Sequence, residues 1–206
     1  MTAARRSHWE DVYGGKRHTE VSWYQEVPDK SLALISATGV STEDAIIDIG
    51  GGASTLVDHL LEAGYADVTV LDLAATAFDQ ARKRLGKQAG AVNWVVSDVT
   101  QFEPQRQYRL WHDRAVLHFL TTASDRARYV QVLKDALVPG GHAVIATFGP
   151  DGPLKCSGLE IRRYSVTMLE ELLGPEFEVQ SHELENHQTP MGSTQQFLYS
   201  CWTRRG

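Results

Sequence analysis

The sequence predicts an α/β fold: a mostly parallel sheet of seven strands, helices on both faces, and an antiparallel hairpin at the C-terminal end. Three observations carry this. From Ala45 onward, short apolar runs alternate with helical patterns, as strands linked by crossover helices do. The first run, Ala45–Ile49, ends in three glycines, Gly50, Gly51 and Gly52. The last two strand-like runs have no helix between them, only a link rich in turn formers.

Residues 1–44 stand outside the alternation. They hold His8–Gly15 (HWEDVYGG), Val21–Gln25 (VSWYQ) and a helix opened by Pro28. They read as an N-terminal helical lid over one end of the sheet, with 45–206 as the core of the same single domain, 1–206. Ala45–Ile49 is a buried strand. Leu56, Val57, Leu60 and Leu61 then recur at helical spacing, and Gly64 stops that helix. Asp67–Asp72 is the second strand, Ala74–Leu85 a helix, Val92–Val96 the third strand and Tyr108–Asp113 the fourth. Ser124 is placed to cap a helix through Leu137, with Tyr129, Val130, Leu133, Ala136 and Leu137 as its apolar stripe. Val138–Gly141 (VPGG) ends it, and His142–Phe148 is the fifth strand. After a short helix near Ser165–Leu173 come Phe177–Glu185 and Thr194–Thr203, joined by Asn186–Ser193. Strands joined this way pair as a hairpin, so one runs against the rest.

Composition narrows the function. A net charge of −6 argues against a phosphate-backbone binder, so nucleic acid is not the expected partner. The densest basic stretch, Ala81–Arg84 (ARKR), reads as the wet face of a helix. Cys156 and Cys201 make neither a disulfide framework nor a zinc site, and His112–His118 (HDRAVLH) lacks a third ligand, so no metal is expected. No apolar run spans a membrane and the first residues lack the apolar stretch of a secretory signal, so a cytoplasmic setting is expected. No pattern announces an oligomeric interface.

In an open parallel sheet, ligands bind beyond the carboxyl ends of the strands, where strand order reverses. The glycines let a ligand approach the backbone there. Such a loop alone also fits nicotinamide and flavin enzymes. Two acids discriminate. Asp48 lies just before the glycines, where an anion repels pyrophosphate but suits a ligand carrying a cation. Asp72 ends the second strand about 20 residues on, where a carboxylate can accept both hydroxyls of a ribose. Ribose plus cation, without phosphate, describes S-adenosylmethionine.

With these residues in view, the chain resembles the class I S-adenosylmethionine-dependent methyltransferases. Asp48–Ser54 (DIGGGAS) resembles their first motif, D/E-x-G-x-G-x-G, with Ser54 at the last glycine. Val68–Ala74 (VTVLDLA) resembles the second and Val95–Thr100 (VVSDVT) the third. Trp111–Leu120 (WHDRAVLHFL) resembles the segment after strand four, and Leu137–Phe148 the turn into strand five. His8–Gln25 resembles the lid of small methyltransferases, some acting on small thiols and some on protein lysines. The resemblance implies a Rossmann-like sheet, S-adenosylmethionine as cofactor and S-adenosylhomocysteine as product. The implied acceptor is a small thiol, amine or other nucleophile, with a protein lysine as the alternative. A non-catalytic module that keeps the cofactor fold is the rival of another class.

For the cofactor, the resemblance implies Asp48 at the methionine moiety, a loop of Gly50, Gly51, Gly52 and Ser54, and Asp72 on the ribose with Leu73 beside it. It also implies Asp98 facing the adenine amino group and Val99 near the ring, while Asp98 also reads as a strand-end turn residue; Asp113, after the fourth strand, reads either as a cap or salt bridge holding the turn or as a group near the methyl group or acceptor. Trp9, Tyr13, Trp23 and Tyr24 either pack the lid or face the sulfonium through their rings, and Trp23 is the one assigned to the cofactor site. Asp113, His118 and His112 are the candidate proton acceptors. Cys156, in the 149–163 loop, reads as a structural thiol. Arg162 and Arg163 either hold an anionic acceptor or sit in water, and His187 sits at the hairpin turn.

Overall fold

The computed structural model describes residues 2–206. The strands are β1 (Ile46–Ile49), β2 (Val68–Asp72), β3 (Val92–Val96), β4 (Tyr108–Arg114), β5 (Leu137–Phe148), the short β6 (Lys155–Cys156) and β7 (Leu159–Glu160), β8 (Phe177–Gln188) and β9 (Thr194–Arg204). The helices are α1 (Thr2–Gly15), α2 (Asp29–Ala37), α3 (Leu56–Glu62), α4 (Ala75–Leu85), α5 (Ala123–Ala136) and α6 (Val166–Leu173). Seven strands form one sheet in the order β3-β2-β1-β4-β5-β9-β8. The five from β3 to β5 are parallel, and β9 runs antiparallel to both of its neighbours. β6 and β7 form a separate two-stranded ribbon in the loop after β5. Among the described residues, no helix is long and apolar enough to cross a membrane.

The parallel strands are buried on both faces, so they read as near-continuous apolar runs. Ile46, Val68, Val70, Leu110 and Val144 pack under Ile35 of α2, Leu56 and Leu60 of α3, and Phe78 of α4. Ile47, Ile49, Trp111, Ala143 and Ile145 pack on the other face against Tyr129 and Leu133 of α5 and Leu169 and Leu173 of α6. Burying one such side chain contributes about 1.5–3 kcal/mol, so this two-sided core fixes the strand register. Strand order reverses between β1 and β4, which opens a crevice beyond their carboxyl ends.

Three boundaries differ from the sequence reading. Thr122, not Ser124, caps α5, its hydroxyl accepting from the Asp125 amide at 3.1 Å. Leu137 belongs to β5 rather than to the helix. Val138–Gly141 is an extended lead-in, absorbed by a register shift between the pairs Tyr108–Leu137 and Leu110–His142. β8 continues to Gln188, so the hairpin turn is confined to Thr189–Ser193, closed by a hydrogen bond from the Thr189 amide to the Ser193 carbonyl.

Candidate functional site

The three glycines are required by the chain's own side chains. Gly50 has φ +67°, and a Cβ there would overlap Val116. A Cβ at Gly51 would overlap the carboxylate of Asp48, and one at Gly52 would lie 2.5 Å from Ala77 Cβ and against the carboxylate of Asp72. The glycines therefore let β1, β2 and α4 close around two buried acids.

Those acids border two adjoining cavities. The first is lined by Gly50, Asp72, Leu73, Asp98 and Val99 together with Trp9, Tyr13, Trp23, Arg114 and Phe119. The second continues past Gly50, Gly51 and Ser54 to Asp48 and His112. Asp72 is 5% exposed and accepts from the Ala74 amide at 2.9 Å; burial pushes its pKa up to about 7 against the backbone N–H donors that favour the charge. Asp98 uses one oxygen on the amide and hydroxyl of Thr100, at 2.9 and 2.7 Å, and its other oxygen is buried without a partner. One oxygen of Asp48 meets His112 Nδ1 at 2.7 Å and the other is likewise buried and unpaired. Ser54 Oγ accepts from the Leu56 amide at 3.1 Å and starts α3, the work a glycine would leave undone.

Strand alternation decides what the polar residues of β4 do. His112 pairs in register with Asp48, on the α2 side of the sheet, and its Nε2 meets Ser31 Oγ at 2.9 Å. The order Ser31–His112–Asp48 is that of a nucleophilic triad, but Ser31 is 1% exposed on α2, so the chain braces Asp48. Asp113 points to the opposite face. It accepts from Tyr129 Oη at 2.7 Å and from the amides of Val116 and Leu117 at 2.9 and 3.1 Å. These bonds hold the turn in which Ala115 takes φ +73°. Burial pushes the Asp113 pKa up to about 6. His118 packs between Phe119 and Phe148, its Nδ1 3.3 Å from the Phe148 amide, and burial pulls its pKa down to about 3. Asp113 and His118 line neither cavity, and both nitrogens of His112 are engaged. The hydrogen bonds of Asp113, His112 and His118 all lie within the fold, His112 alone of the three lines a cavity, and His118 Nε2 is buried with no partner.

The N-terminal segment supplies part of the wall of the first cavity, through Arg5, Trp9, Tyr13 and Trp23. Trp9 of α1 packs on Tyr13, Trp23 and Phe119 with ring centroids 6.0, 5.6 and 5.1 Å away. The Glu10 carboxylate caps α4, accepting from the amides of Ala75 and Thr76 at 2.8 and 3.1 Å and from the Thr76 hydroxyl at 2.5 Å. Arg5 reaches Asp125 of α5 at 2.6 Å. Tyr24 lines the second cavity. Cys156 lines the first, with burial pushing its thiol up to about 11. His187 is spent on the Ser22 carbonyl at 2.9 Å, and Arg162 and Arg163 lie outside both cavities. Sequence reasoning missed Arg5. Arg114, expected at the mouth of the cleft after the fourth strand, and Phe119, in the segment after that strand, both line the first cavity and flank the turn at Ala115.

Comparison with known proteins gives the following. Residues 46–141 match a family model described as a methyltransferase domain. Nodulation protein S of Sinorhizobium fredii is 30% identical over 124 residues, 60% of this chain and 55% of that protein. The Rhizobium tropici protein of the same name is 36% identical over 80 residues, 39% of this chain and 33% of that one. The matches thus span one third to just over half of those relatives. The eEF1A lysine and N-terminal methyltransferase of Mus musculus is 23% identical over 61% of this chain and 18% of that one. Among solved structures, one from work on conversion of a disulfide into a thioacetal in echinomycin biosynthesis superposes with a TM-score of 0.78, at 19% identity, over 97% of this chain and 93% of that one. The N-methyltransferase NodS of Bradyrhizobium japonicum, solved with S-adenosylhomocysteine, gives 0.72 at 16% identity, over 96% and 98%.

Proposed function

We propose that this chain, a member of the class I S-adenosylmethionine-dependent methyltransferases, transfers a methyl group from S-adenosylmethionine to a small-molecule nucleophile. One observation carries the donor site. Asp48, Asp72 and Asp98 stand near the ends of three neighbouring strands and border two adjoining cavities, two of them with a buried unpaired oxygen. Such oxygens are costly unless a ligand donor completes them. An ammonium, a ribose diol and an adenine amino group present donors of that kind. Asp48 would hold the amino group, Asp72 the ribose and Asp98 the adenine, with Leu73 and Val99 on the ring.

When bound, S-adenosylmethionine supplies a methyl group activated by a sulfonium cation. The chain binds, aligns and excludes water. Trp9, Tyr13 and Trp23 offer aromatic faces that favour a nearby cation and close the space against solvent. The Ser31–His112–Asp48 chain fixes which oxygen of Asp48 is free. With Asp113 and both nitrogens of His112 hydrogen-bonded within the fold and His118 outside both cavities, the acceptor of this reading arrives as a free amine, thiolate or other ready nucleophile. The side chains of α1 at the cavity wall, Arg5, Trp9 and Tyr13, support a small acceptor over a protein lysine.

The test is S-adenosylhomocysteine release from S-adenosylmethionine with panels of small amines, thiols and hydroxy compounds beside lysine-containing peptides. Turnover on a small molecule is the expected result. Turnover on peptide alone would move the acceptor to protein. Tight cofactor binding with no turnover on any acceptor would return the chain to a binding module.

A further inference from the structure

We propose that Arg114 is the specificity residue of this site, a carboxylate receptor that anchors the methyl acceptor. The inference rests on the donor–acceptor reading above and deepens it. Arg114 closes β4 and borders both cavities. Its guanidinium is held on three sides: Nε donates to Tyr199 Oη at 2.7 Å, Nη1 donates to the Trp23 carbonyl at 2.8 Å, and the Phe197 ring lies 4.6 Å from its carbon. Nη2 is buried and has no partner. Glu185 lies close enough to Tyr199 to act on its hydroxyl, and it forms no ion pair with Arg114 among the described residues. A pinned cation with one buried donor left over is a receptor for an anion, and the planar fork matches a carboxylate.

Position selects the acceptor as the source of that carboxylate. Tyr199 and Phe197 belong to β9, two strands beyond β4 on the side away from β1, β2 and β3. The glycine loop and the three acids of the donor site lie on that other side. Trp23, Ala115 and Phe119 line the same cavity as Arg114, with Trp9 packed on both rings, so an apolar body joined to the carboxylate fits this wall. A carboxylate paired with a guanidinium is a weakened nucleophile, so it anchors and the methyl goes to another atom of the acceptor.

The test uses two matched probes, phenylacetate and 2-phenylethanol. Each is titrated by calorimetry into wild type, Arg114→Lys and Arg114→Gln, all saturated with S-adenosylhomocysteine. S-adenosylhomocysteine alone is titrated into the same three proteins. Wild type should prefer phenylacetate by roughly tenfold or more, Arg114→Lys should keep part of that preference, and Arg114→Gln should lose it. S-adenosylhomocysteine affinity should stay within about threefold. A merely structural arginine would move melting temperature without making probe preference follow charge. The proposal is overturned if phenylacetate fails to bind wild type or if the preference survives in Arg114→Gln. It is also overturned if S-adenosylhomocysteine affinity collapses in Arg114→Gln, which would give the guanidinium to the donor's own carboxylate. Failure of wild type to bind S-adenosylhomocysteine at all would instead remove the donor site, and this inference with it.

Discussion

Gly52→Ala tests whether the glycine loop works by leaving room for Asp72. Gly52 is not in the left-handed region, so alanine adds no backbone strain, and the new methyl is the whole perturbation. That methyl would sit 2.5 Å from Ala77 Cβ, fully buried in α4, and against the Asp72 carboxylate. Such overpacking costs about 1–3 kcal/mol, which for a chain of this size lowers Tm by roughly 2–10 °C. Pushing the carboxylate off its position also removes one or two charge-assisted hydrogen bonds to the ribose, about 1.5–3 kcal/mol each. S-adenosylhomocysteine should therefore bind at least roughly tenfold more weakly, read by calorimetric titration. Gly90→Ala is the control, because its Cβ would meet no heavy atom within 4 Å. Wild-type affinity and Tm in Gly52→Ala would refute the account of why the third glycine is there.

Other expectations concern charge and the lid. His118→Phe should keep methyl transfer, and a loss above about a hundredfold would return His118 to the chemistry. In wild type the unfolded chain takes up the His118 proton near pH 6.5 while the folded state resists it to about 3, so stability falls as pH drops through that window. At pH 5 the phenylalanine variant should be spared about 2 kcal/mol of that loss, measured by urea unfolding at pH 5 and 7. Asp72 has the opposite sign: its folded pKa is raised to about 7, so its penalty on the free protein grows between about pH 4 and 7. Asp72→Asn should gain roughly 2–3 kcal/mol more at pH 8 than at pH 5, and wild type should release a proton on binding S-adenosylhomocysteine, seen as a buffer-dependent enthalpy. Glu10→Ala should cost about 1 kcal/mol as a lost helix cap and speed hydrogen exchange in α1; unchanged exchange would mean Glu10 does not hold the lid.

The alternation of strands and helices, the glycine loop and the acids Asp48, Asp72 and Asp98 were legible because each is written within a few residues and obeys a strand or helix period. The reversed β9 was legible from two adjacent strand patterns. For Asp113 the sequence left two readings, a cap holding the turn or a group at the site, because a polar residue in an apolar stretch reads the same in both; the cap is present in its bonds to Val116 and Leu117. Counting alternation along β4 would have helped: it sends His112 and Asp113 to opposite helix layers before any coordinates are known. Arg114 depends on Trp23, Phe197 and Tyr199, brought together by the sheet order and by the lid, and no local spacing encodes that meeting. The Val138–Gly141 lead-in was misread because its glycines and proline look like a stop, whereas burial of Leu137 pulls the segment into β5.

The most direct measurement is a calorimetric titration of wild type and Asp72→Ala with S-adenosylhomocysteine, run beside NAD. The account predicts one tight site in wild type, at least roughly tenfold weakening in the variant and no binding of the dinucleotide. A folded wild type that ignores S-adenosylhomocysteine, or a variant that binds it equally well, would contradict the donor site on which the proposed function stands.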